Sequence, residues 1–353
     1  MCSQCENHVH IHQGPVGVHR GYYQVREIAA ALVSIAGGIT YAETARRVRT
    51  NYWGVGGTGR LSKETHEGGQ TIADWLNQYG PMISEHYAET EWPETIVLDS
   101  TEYQYTDPQT GDQSQLFVIL AAWGYEEGAA RGRLWKVEAR PRDQKDDWIE
   151  FLRALPGKPK LVVYDGDKAI GPAVTTRWRG KVPAQVCEYH LHKNAFRAWV
   201  ADEQDGYTPP ERELLNHAFR SLVEWKAFTD AVAASGGPTL VGWVGWWDKK
   251  LTTQVERRSS LPAHYSTGAL DRAIDIIRQV TERRKWTFRN KERMNQLLDL
   301  VRLRINRQDD AEKWAALIRE YVEAHGGRPP GKRQLADPFT LDPSGKRVYS
   351  LWG

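Results

Sequence analysis

Apolar side chains recur every three or four positions between residues 25 and 33, the spacing that predicts an amphipathic helix. The glycine pair at 37–38 ends this pattern, and Thr40 opens a capping box that predicts the start of a second helix. A third helical pattern covers 71–80, after a glycine-rich stretch. The first ninety residues are therefore expected to form short helices joined by tight turns.

Three arginines follow one another closely in the second of these helices: Arg46, Arg47 and Arg49. Short helices around a tight glycine turn, with a basic end, are typical of a helix-turn-helix unit. Such a unit would place these arginines against the backbone of DNA. The alternative interpretation is a small helical bundle with no special function.

The pattern changes to that of β-strands after Pro93. Segments 96–105, 114–126 and 132–141 are rich in β-branched and aromatic residues, and short turn clusters separate them. Short links imply antiparallel hairpins, so the three segments are expected to form a meander. The other elements predicted up to residue 190 are a helix over 146–155, a buried strand over 161–164, a helical piece over 168–178 and a short strand over 182–190.

Mostly helical patterns follow from His192 to about Arg307, then a helix over 309–325 and an extended tail. Strands that alternate with helices after a meander predict an α/β fold, with a mixed sheet that carries helices on its faces. The expected division is a separate N-terminus at 1–20, a helix-turn-helix region at 21–90, a first part of the sheet core at 91–195, a helical insertion at 196–262, the remainder of the core at 263–307, and a helix with a basic tail at 308–353.

The composition excludes several classes of protein. Of the 353 residues, 26% are charged and 40% are hydrophobic, which is too apolar for a disordered chain. The longest apolar stretches are far shorter than the roughly 20 residues that a membrane helix requires. The N-terminus has no signal-peptide pattern, and three cysteines cannot build a disulfide framework. We therefore expect a cytoplasmic protein that has no membrane partner.

Two aspartates follow apolar runs in the predicted sheet. Asp99 comes after Ile-Val-Leu in the first strand, and Asp165 comes after Leu-Val-Val-Tyr at the end of the fourth. Acids in such positions face the crevice where open α/β sheets bind ligands. Two neighbouring carboxylates repel each other unless a cation lies between them, so a shared divalent metal is predicted. Taken singly, either aspartate could instead be a turn or helix-cap residue.

A strand aspartate in a meander, a second strand aspartate, a Cys-x-x-His motif, a long helical segment and an acid on a helix follow one another along the chain. This order resembles the DDE transposases of bacterial insertion sequences, in particular the Mutator-like and related groups with a ribonuclease H-like catalytic core. The stretch LDSTEY carries Asp99 and VVYDGDKAI carries Asp165. CEYHLHKNA is similar to the Cys-x-x-His signature of that group, at Cys187 and His190. HYSTGALDRAIDIIRQ resembles the segment that brings a third acid on a helix, here Asp271. The resemblance covers roughly residues 95–307.

This resemblance implies a ribonuclease H-like mixed sheet in which Asp99, Asp165 and Asp271 hold two Mg²⁺ or Mn²⁺ ions. Water would first attack double-stranded DNA at an element end, and the freed 3′-hydroxyl would then attack a target strand. The helix-turn-helix region would bind the terminal inverted repeats. The family also implies a homodimer or larger assembly on the DNA, in the bacterial cytoplasm with the nucleoid.

The third acid departs from the family pattern, in which this position is normally glutamate. Asp271 lies beside the apolar stripe of its helix, where an acid at the edge of the core could reach a metal. Glu282, further along the same helix, and Glu292, at the start of the next, are alternative candidates. A solvated acid at a helix start, favoured by the helix dipole, is the remaining interpretation of Asp271.

Two groups of cysteines and histidines have zinc-binding chemistry. Cys187 and His190 supply half a zinc site, and a structural role in the core is the preferred interpretation. At the N-terminus the ligand types suit tetrahedral zinc, although the spacing is tighter than usual and a frayed terminus is the alternative. The N-terminal candidates are Cys2, Cys5, His8 and His10.

Basic residues are concentrated close to the proposed third acid. Between positions 272 and 293 there are eight Lys or Arg against three acids, with Trp286 and Phe288 among them. Such a run is typical of a surface that contacts phosphates, although solvated helix faces also carry such runs. The candidate DNA contacts in this region are Arg283, Arg284, Lys285, Arg289, Lys291 and Arg293. The tryptophan-rich stretch 242–250 is expected in the core, unless an exposed ring stacks on an unpaired base.

The sequence therefore predicts a transposase that cleaves and joins DNA strands. Two alternatives stay open. One is a DNA-binding protein descended from a transposase without catalysis, because Asp271 replaces the usual glutamate. The other is a ribonuclease H-like nuclease that cuts DNA strands but does not join them.

Overall fold

The structure of the chain is a computed structural model. The residues that it describes are 25–53, 69–106, 111, 113–260, 266–282, 290–333, 335, 339–341 and 347–349.

Within the described residues before the sheet there are three helices, where the apolar periodicity predicts them. They are α1 (Val25–Ala36), α2 (Tyr41–Trp53) and α3 (Gln70–His86). The Thr40 hydroxyl accepts a hydrogen bond of 3.2 Å from the Glu43 N–H, which confirms half of the predicted capping box. The third helix is longer than predicted: it continues through Gly80 and Pro81, because the apolar pattern extends to the fully buried Ile83.

A five-stranded mixed sheet forms the centre of the molecule. Its strands are β1 (Thr95–Thr106), β2 (Gln113–Tyr125), β3 (Arg133–Arg140), β4 (Leu161–Tyr164) and β5 (Ala184–Val186). In space the order is β3-β2-β1-β4-β5. The predicted meander is confirmed, since β1, β2 and β3 are antiparallel, while β4 and β5 continue the sheet in parallel with β1. The chain is therefore a mixed α/β protein.

Nine further helices lie between and after the strands in the described part of the chain. They are α4 (Lys145–Arg153), α5 (Ile170–Trp178), α6 (Glu188–Gln204), α7 (Arg212–His217), α8 (Leu222–Ser235), α9 (Pro238–Arg257), α10 (Gly268–Glu282), α11 (Lys291–Ile305) and α12 (Ala311–Ala324). Among the helices of these ranges, none combines the length and apolar character needed to cross a bilayer.

Two hydrophobic cores lie on opposite faces of the sheet. The first joins the side chains of one face to helices α1–α3 and α10–α12, so the N-terminal helices share a core with the C-terminal ones. The second joins the other face to α4–α9, which include the helices between β5 and α10. Successive strand residues point to opposite faces, and so Val97 contributes to the first core and Leu98 to the second.

Side-chain amides attach helices to the two outer strands. At β3, the Asn306 amide accepts from the Leu134 N–H and donates to the Leu134 carbonyl, both at 2.9 Å. At β5, Gln254 accepts from the Val186 N–H at 2.9 Å and donates to the Val186 carbonyl at 2.8 Å. Helix α9 is thereby held against the strand that leads to the Cys-x-x-His motif.

Two details of the structure differ from the sequence prediction. The strand predicted over 182–190 ends at Val186, and α6 begins at Glu188 with Cys187 as its N-terminal cap residue. His190 is therefore helical. The tail predicted as extended contains an antiparallel pair of short strands, β6 (Phe339–Leu341) and β7 (Arg347–Tyr349).

An ion-pair network links α11 to the segment after α3 and to the sheet. Arg302, only 5% exposed, is attracted to Asp299 and Glu89 and donates to the Tyr87 carbonyl at 3.1 Å. Arg133 contacts Glu89 at 2.8 Å and Glu126 at 3.1 Å. We call Asp299, Arg302, Glu89, Arg133 and Glu126 the ion-pair network.

Candidate active site

The three predicted acids come from different elements that meet where β4 ends beside the middle of β1. Leu98 lies opposite Tyr164 on the neighbouring parallel strand, so Asp99 and Asp165 directly follow a paired position. Asp271 lies in the first turn of α10. That helix packs along β1, where the Arg278 guanidinium donates to the Thr101 hydroxyl at 2.7 Å. We call Asp99, Asp165 and Asp271 the carboxylate cluster.

The carboxylates of the cluster repel one another. Burial, together with the negative charges of Asp165 and Asp271, raises the pKa of Asp99 to about 7, against a lowering by its bond from the Ser100 N–H. Burial also raises the pKa of Asp165, with a further contribution from Asp167. Among the described residues, no Lys or Arg forms an ion pair with any of the three acids. His190 lowers the pKa values of Asp99 and Asp165, so it offsets part of this charge, while no described Lys or Arg pairs with the cluster.

Local backbone bonds fix the first two acids. The Ser100 N–H donates to Asp99 Oδ1 at 2.7 Å, and the Asp167 N–H donates to Asp165 Oδ1 at 2.9 Å. Asp167 itself accepts from the Ala169 N–H at 2.6 Å, as expected of a turn acid. Asp99 and Asp165 thus each keep a defined orientation, with one carboxylate oxygen left over for a ligand.

The Cys-x-x-His motif lies between the second acid and the third. The backbone N–H of Cys187 donates to the Tyr164 carbonyl at 2.7 Å, directly before Asp165. Its sulfur lies 3.5 Å from the Thr267 hydroxyl, and His190 Nδ1 lies 3.2 Å from that same hydroxyl. The hydrogen bond with Cys187 and the charges of Cys187, Asp271 and Asp165 raise the pKa of His190, against the effect of burial. These contacts agree with the structural role preferred for the motif.

Two residues of the site were missed by the sequence analysis. Asp143 accepts from the Ser100 hydroxyl and from Trp148 Nε1, and burial raises its pKa. Nothing in the sequence separates it from the neighbouring Asp146 and Asp147. Thr267 was also missed, although its position four residues before Asp271 places both on one side of a helix start.

The carboxylate oxygens of the cluster suit a metal ion by their chemical type more than by the distances between them. Carboxylate oxygens are the ligands that Mg²⁺ and Mn²⁺ prefer, and mutual repulsion among three acids is relieved by a cation. Within the ranges given above, no three histidine, cysteine or acidic side chains are gathered closely enough to hold a metal as they stand. The residues therefore fit the ion by type, and binding would have to draw them closer together.

A cleft of about 830 Å³ opens beside the second acid, lined by the turn after β4, by α5 and by α9. We call it the tryptophan cleft. Gly166, next to Asp165, has a φ of +104°, which favours glycine, and lies in its wall. Trp246 is 73% exposed there, contrary to the core position expected for the tryptophan-rich stretch. Lys250 lies 5.0 Å from the ring centre of Trp247 and donates to the Tyr164 hydroxyl at 2.9 Å.

The alternative third acids occupy other surroundings. Glu282 ends α10, is exposed, and lies 3.9 Å from Arg278 in an ion pair. Glu292 is exposed in the first turn of α11. Asp271 is the candidate whose charge acts on Asp99 and on His190. The structure thus brings Asp271, rather than either glutamate, to the other two acids.

The predicted DNA contacts are described only in part. Arg46 and Arg47 both pair with Glu43 on an exposed side of α2, and the side chain of Arg49 lies outside the described residues. Lys291 and Arg293 are half-buried at the start of α11. Outside the described residues lie Arg283, Arg284, Lys285 and Arg289 and the proposed zinc ligands Cys2, Cys5, His8 and His10.

Comparison with known proteins gives no family. No family model matches the chain, and no curated protein is significantly similar to it.

Proposed function

We propose that the protein is a DDE-type transposase, which cleaves DNA at the ends of a mobile element and joins those ends to a target. One observation carries the proposal: the charges of Asp165 and Asp271, both far from Asp99 in the sequence, add to the effect of burial in raising the pKa of Asp99. Acids that lie together without a paired Lys or Arg favour a site that binds a cation. Phosphodiester chemistry is the class of reaction that the sequence motifs indicate.

The order of the elements supports a ribonuclease H-like core for this enzyme. Three antiparallel strands, a helix, a strand, a helix and a strand follow one another as the resemblance implies. A set of helices, α6–α9, then separates the second acid from the helix that carries the third. The order of strands and helices between residues 95 and 305 is therefore consistent with the resemblance. The assignment to the transposase family itself rests on the sequence motifs.

Asp99, Asp165 and Asp271 would hold two divalent ions, Mg²⁺ or Mn²⁺. When bound, such ions supply an activated nucleophile and stabilise charge on the attacking and leaving oxygens. The backbone of the chain orients this site, because the N–H groups of Ser100 and Asp167 hold the carboxylates of Asp99 and Asp165.

The tryptophan cleft is the described surface best suited to the DNA near the cut. An exposed indole can stack on an unpaired base, and cationic side chains attract phosphates. Trp246 provides the ring, while Lys168, Lys250 and Arg257 provide positive charge in the same cleft. Helices α1–α3 would recognise the element ends as a helix-turn-helix region, and two copies of the chain would hold the two ends.

The proposal is tested with a plasmid that carries the chromosomal DNA flanking the gene, a second plasmid as target, and Mg²⁺ or Mn²⁺. We expect the wild type to nick the flanks, leave 3′-hydroxyl ends and produce joined plasmids. Asp271→Ala should lose both products and Asp271→Glu should retain them. Asp230→Asn is the matched control, because that acid is exposed on α8 and pairs with Lys226.

Three other outcomes would contradict the proposal or the assay, and each has a different meaning. Binding of the flanking DNA without cleavage by any form would indicate a DNA-binding protein without catalysis. Cleavage without joined products would indicate a nuclease. Loss of both products in Asp230→Asn as well as in Asp271→Ala would mean that the assay reports folding and not the site.

A further inference from the structure

We infer that Thr267 is a positioning residue, which holds the third acid in place by linking it to the Cys-x-x-His motif. The inference rests on the proposed function, because it assigns the residue a role in the same site. Thr267 is completely buried at the entry to α10, and no motif in the sequence singles it out.

The hydroxyl of Thr267 is in contact with three polar side chains. It lies 3.2 Å from His190 Nδ1, 3.5 Å from Cys187 Sγ and 3.4 Å from Asp271 Oδ2. Its backbone takes part as well: the N–H donates to Cys187 Sγ at 3.4 Å, and the carbonyl accepts from the Asp271 N–H at 2.9 Å. One residue therefore contacts both members of the motif and both ends of the third acid.

The donors and acceptors are satisfied by a single direction of hydrogen bonding. A threonine hydroxyl donates once and has two acceptor lone pairs, and an ionised carboxylate only accepts. The Thr267 O–H therefore donates to Asp271, and its oxygen is left to accept from His190 Nδ1–H, which also hydrogen-bonds with Cys187. The Thr267 N–H donates to the Cys187 sulfur, so both the N–H and the hydroxyl of Thr267 have hydrogen-bond partners.

This arrangement connects the two sides of the site. Cys187 is bonded through its backbone to the Tyr164 carbonyl, one residue before Asp165, and through its sulfur to Thr267. Thr267 in turn holds Asp271. The second and third acids are thus joined by a short chain of contacts that does not pass through the metal. The aspartate side chain is one methylene shorter than that of glutamate. Its carboxylate therefore depends more on such support to be placed at the ion.

The test compares Thr267→Val, which keeps the shape and removes the hydroxyl, with Thr267→Ser, which keeps the hydroxyl. Loss of a residue that orients a metal ligand typically lowers activity or metal affinity by about 10–100-fold. We expect Thr267→Val to lower the DNA cleavage rate and the Mn²⁺ affinity by this factor without changing the affinity for DNA. Thr267→Ser should retain both.

A second measurement does not depend on activity. Nitrogen-15 spectra of the histidine rings should show His190 protonated at Nδ1 in the wild type and in Thr267→Ser, with that signature changed in Thr267→Val. Wild-type cleavage and Mn²⁺ affinity in Thr267→Val, or equal losses in both variants, would overturn the inference. If the wild type cuts no DNA, the proposed function fails, and an unchanged His190 signature in Thr267→Val would overturn the link separately.

Discussion

The carboxylate cluster and the ion-pair network both remove acids from water, but they balance the charge in opposite ways. In the network, Asp299 and Glu89 lie within the attraction of Arg302, and Glu89 and Glu126 contact Arg133. In the cluster, the strongest charge acting on Asp99 is that of another acid, Asp165. Buried charge is costly unless it is paired. The network therefore provides its own arginines, whereas no described Lys or Arg forms an ion pair with the cluster.

This difference separates acids that stabilise the fold from acids that are available for chemistry. Burial raises the pKa of Asp299 and also of Asp99, so a shifted pKa alone would not distinguish the two groups. The sign of the neighbouring charge does distinguish them: Arg302 opposes the shift at Asp299, and Asp165 adds to it at Asp99.

The largest expected effect is the loss of catalysis from the cluster. Asp165→Asn should lower the rate of DNA cleavage by about 10³-fold or more, because metal ions supply several kcal/mol of transition-state stabilisation and each 1.36 kcal/mol is tenfold in rate. Gel assays of strand nicking measure the rate, and circular dichroism checks the fold. Cleavage within tenfold of wild type in a folded variant would remove Asp165 from the site.

The network should respond in stability and not in activity. Arg302→Met removes the buried cation that opposes the burial of the Asp299 charge, while Glu89 keeps Arg133, and should lower the free energy of unfolding by about 3 kcal/mol. Urea denaturation measures this change, with Arg319→Met, on the exposed surface of α12, as the control. Equal stability of the two variants would show that the network contributes little, and the contrast with the cluster would disappear.

Removing charge from the cluster should stabilise the metal-free protein. The pKa of Asp99 is raised from 3.8 to about 7 on folding, so the folded state keeps a proton that the unfolded state has lost between these pH values. Stability falls as the pH rises through that window, and the penalty persists above it. Asp99→Asn should therefore raise the free energy of unfolding by about 2 kcal/mol at pH 8, after allowance for partial exposure.

Thermal unfolding in the presence of a chelator checks this prediction. At pH 3.5 the carboxyl is protonated in the folded state and mostly protonated in the unfolded state, so most of the gain from Asp99→Asn should be lost. A gain of the same size at pH 3.5 and pH 8 would mean that the substitution acts through packing and that the cluster carries no electrostatic penalty.

The smallest expected effect concerns the tryptophan cleft. Trp246→Ala should weaken the binding of single-stranded DNA by about 1 kcal/mol, the low end for one base stacked on an aromatic ring. Fluorescence anisotropy measures the affinity, and the melting temperature should stay unchanged because the ring is 73% exposed. Val241→Ala, exposed on the same helix, is the control. Equal affinity of both variants would exclude Trp246 from the contact with DNA.

The sequence predicts most of the sheet, because each strand has a local signal. The apolar run before Asp165 and the turn clusters between the first three strands place the elements within a few residues. The apolar stripe of α10 is likewise confirmed, with Leu270 and Ile277 fully buried beside Asp271. Local patterns of this kind depend on neighbours in the chain, so they are visible without the fold.

The rest of the site depends on contacts between distant segments. Thr267 and Cys187 are eighty residues apart, and only the contact between the start of α10 and the residue after β5 shows that they touch. Asp143 resembles the acids on either side of it until its bond to Ser100 is seen. The exposure of Trp246 also escaped prediction, because its neighbours Trp243 and Trp247 are half-buried and the sequence does not distinguish the three rings.

The amides of Asn306 and Gln254 have a consequence for the behaviour of the protein in concentrated solution. A strand at the border of a sheet offers unpaired N–H and C=O groups, to which a strand of another molecule can add. Each amide presents one donor and one acceptor to the outer strand, much as a further strand would, and so occupies a backbone position on β3 and on β5. Sheet-to-sheet aggregation between molecules is thereby opposed at both borders, while the part of the sheet that carries the acids stays open.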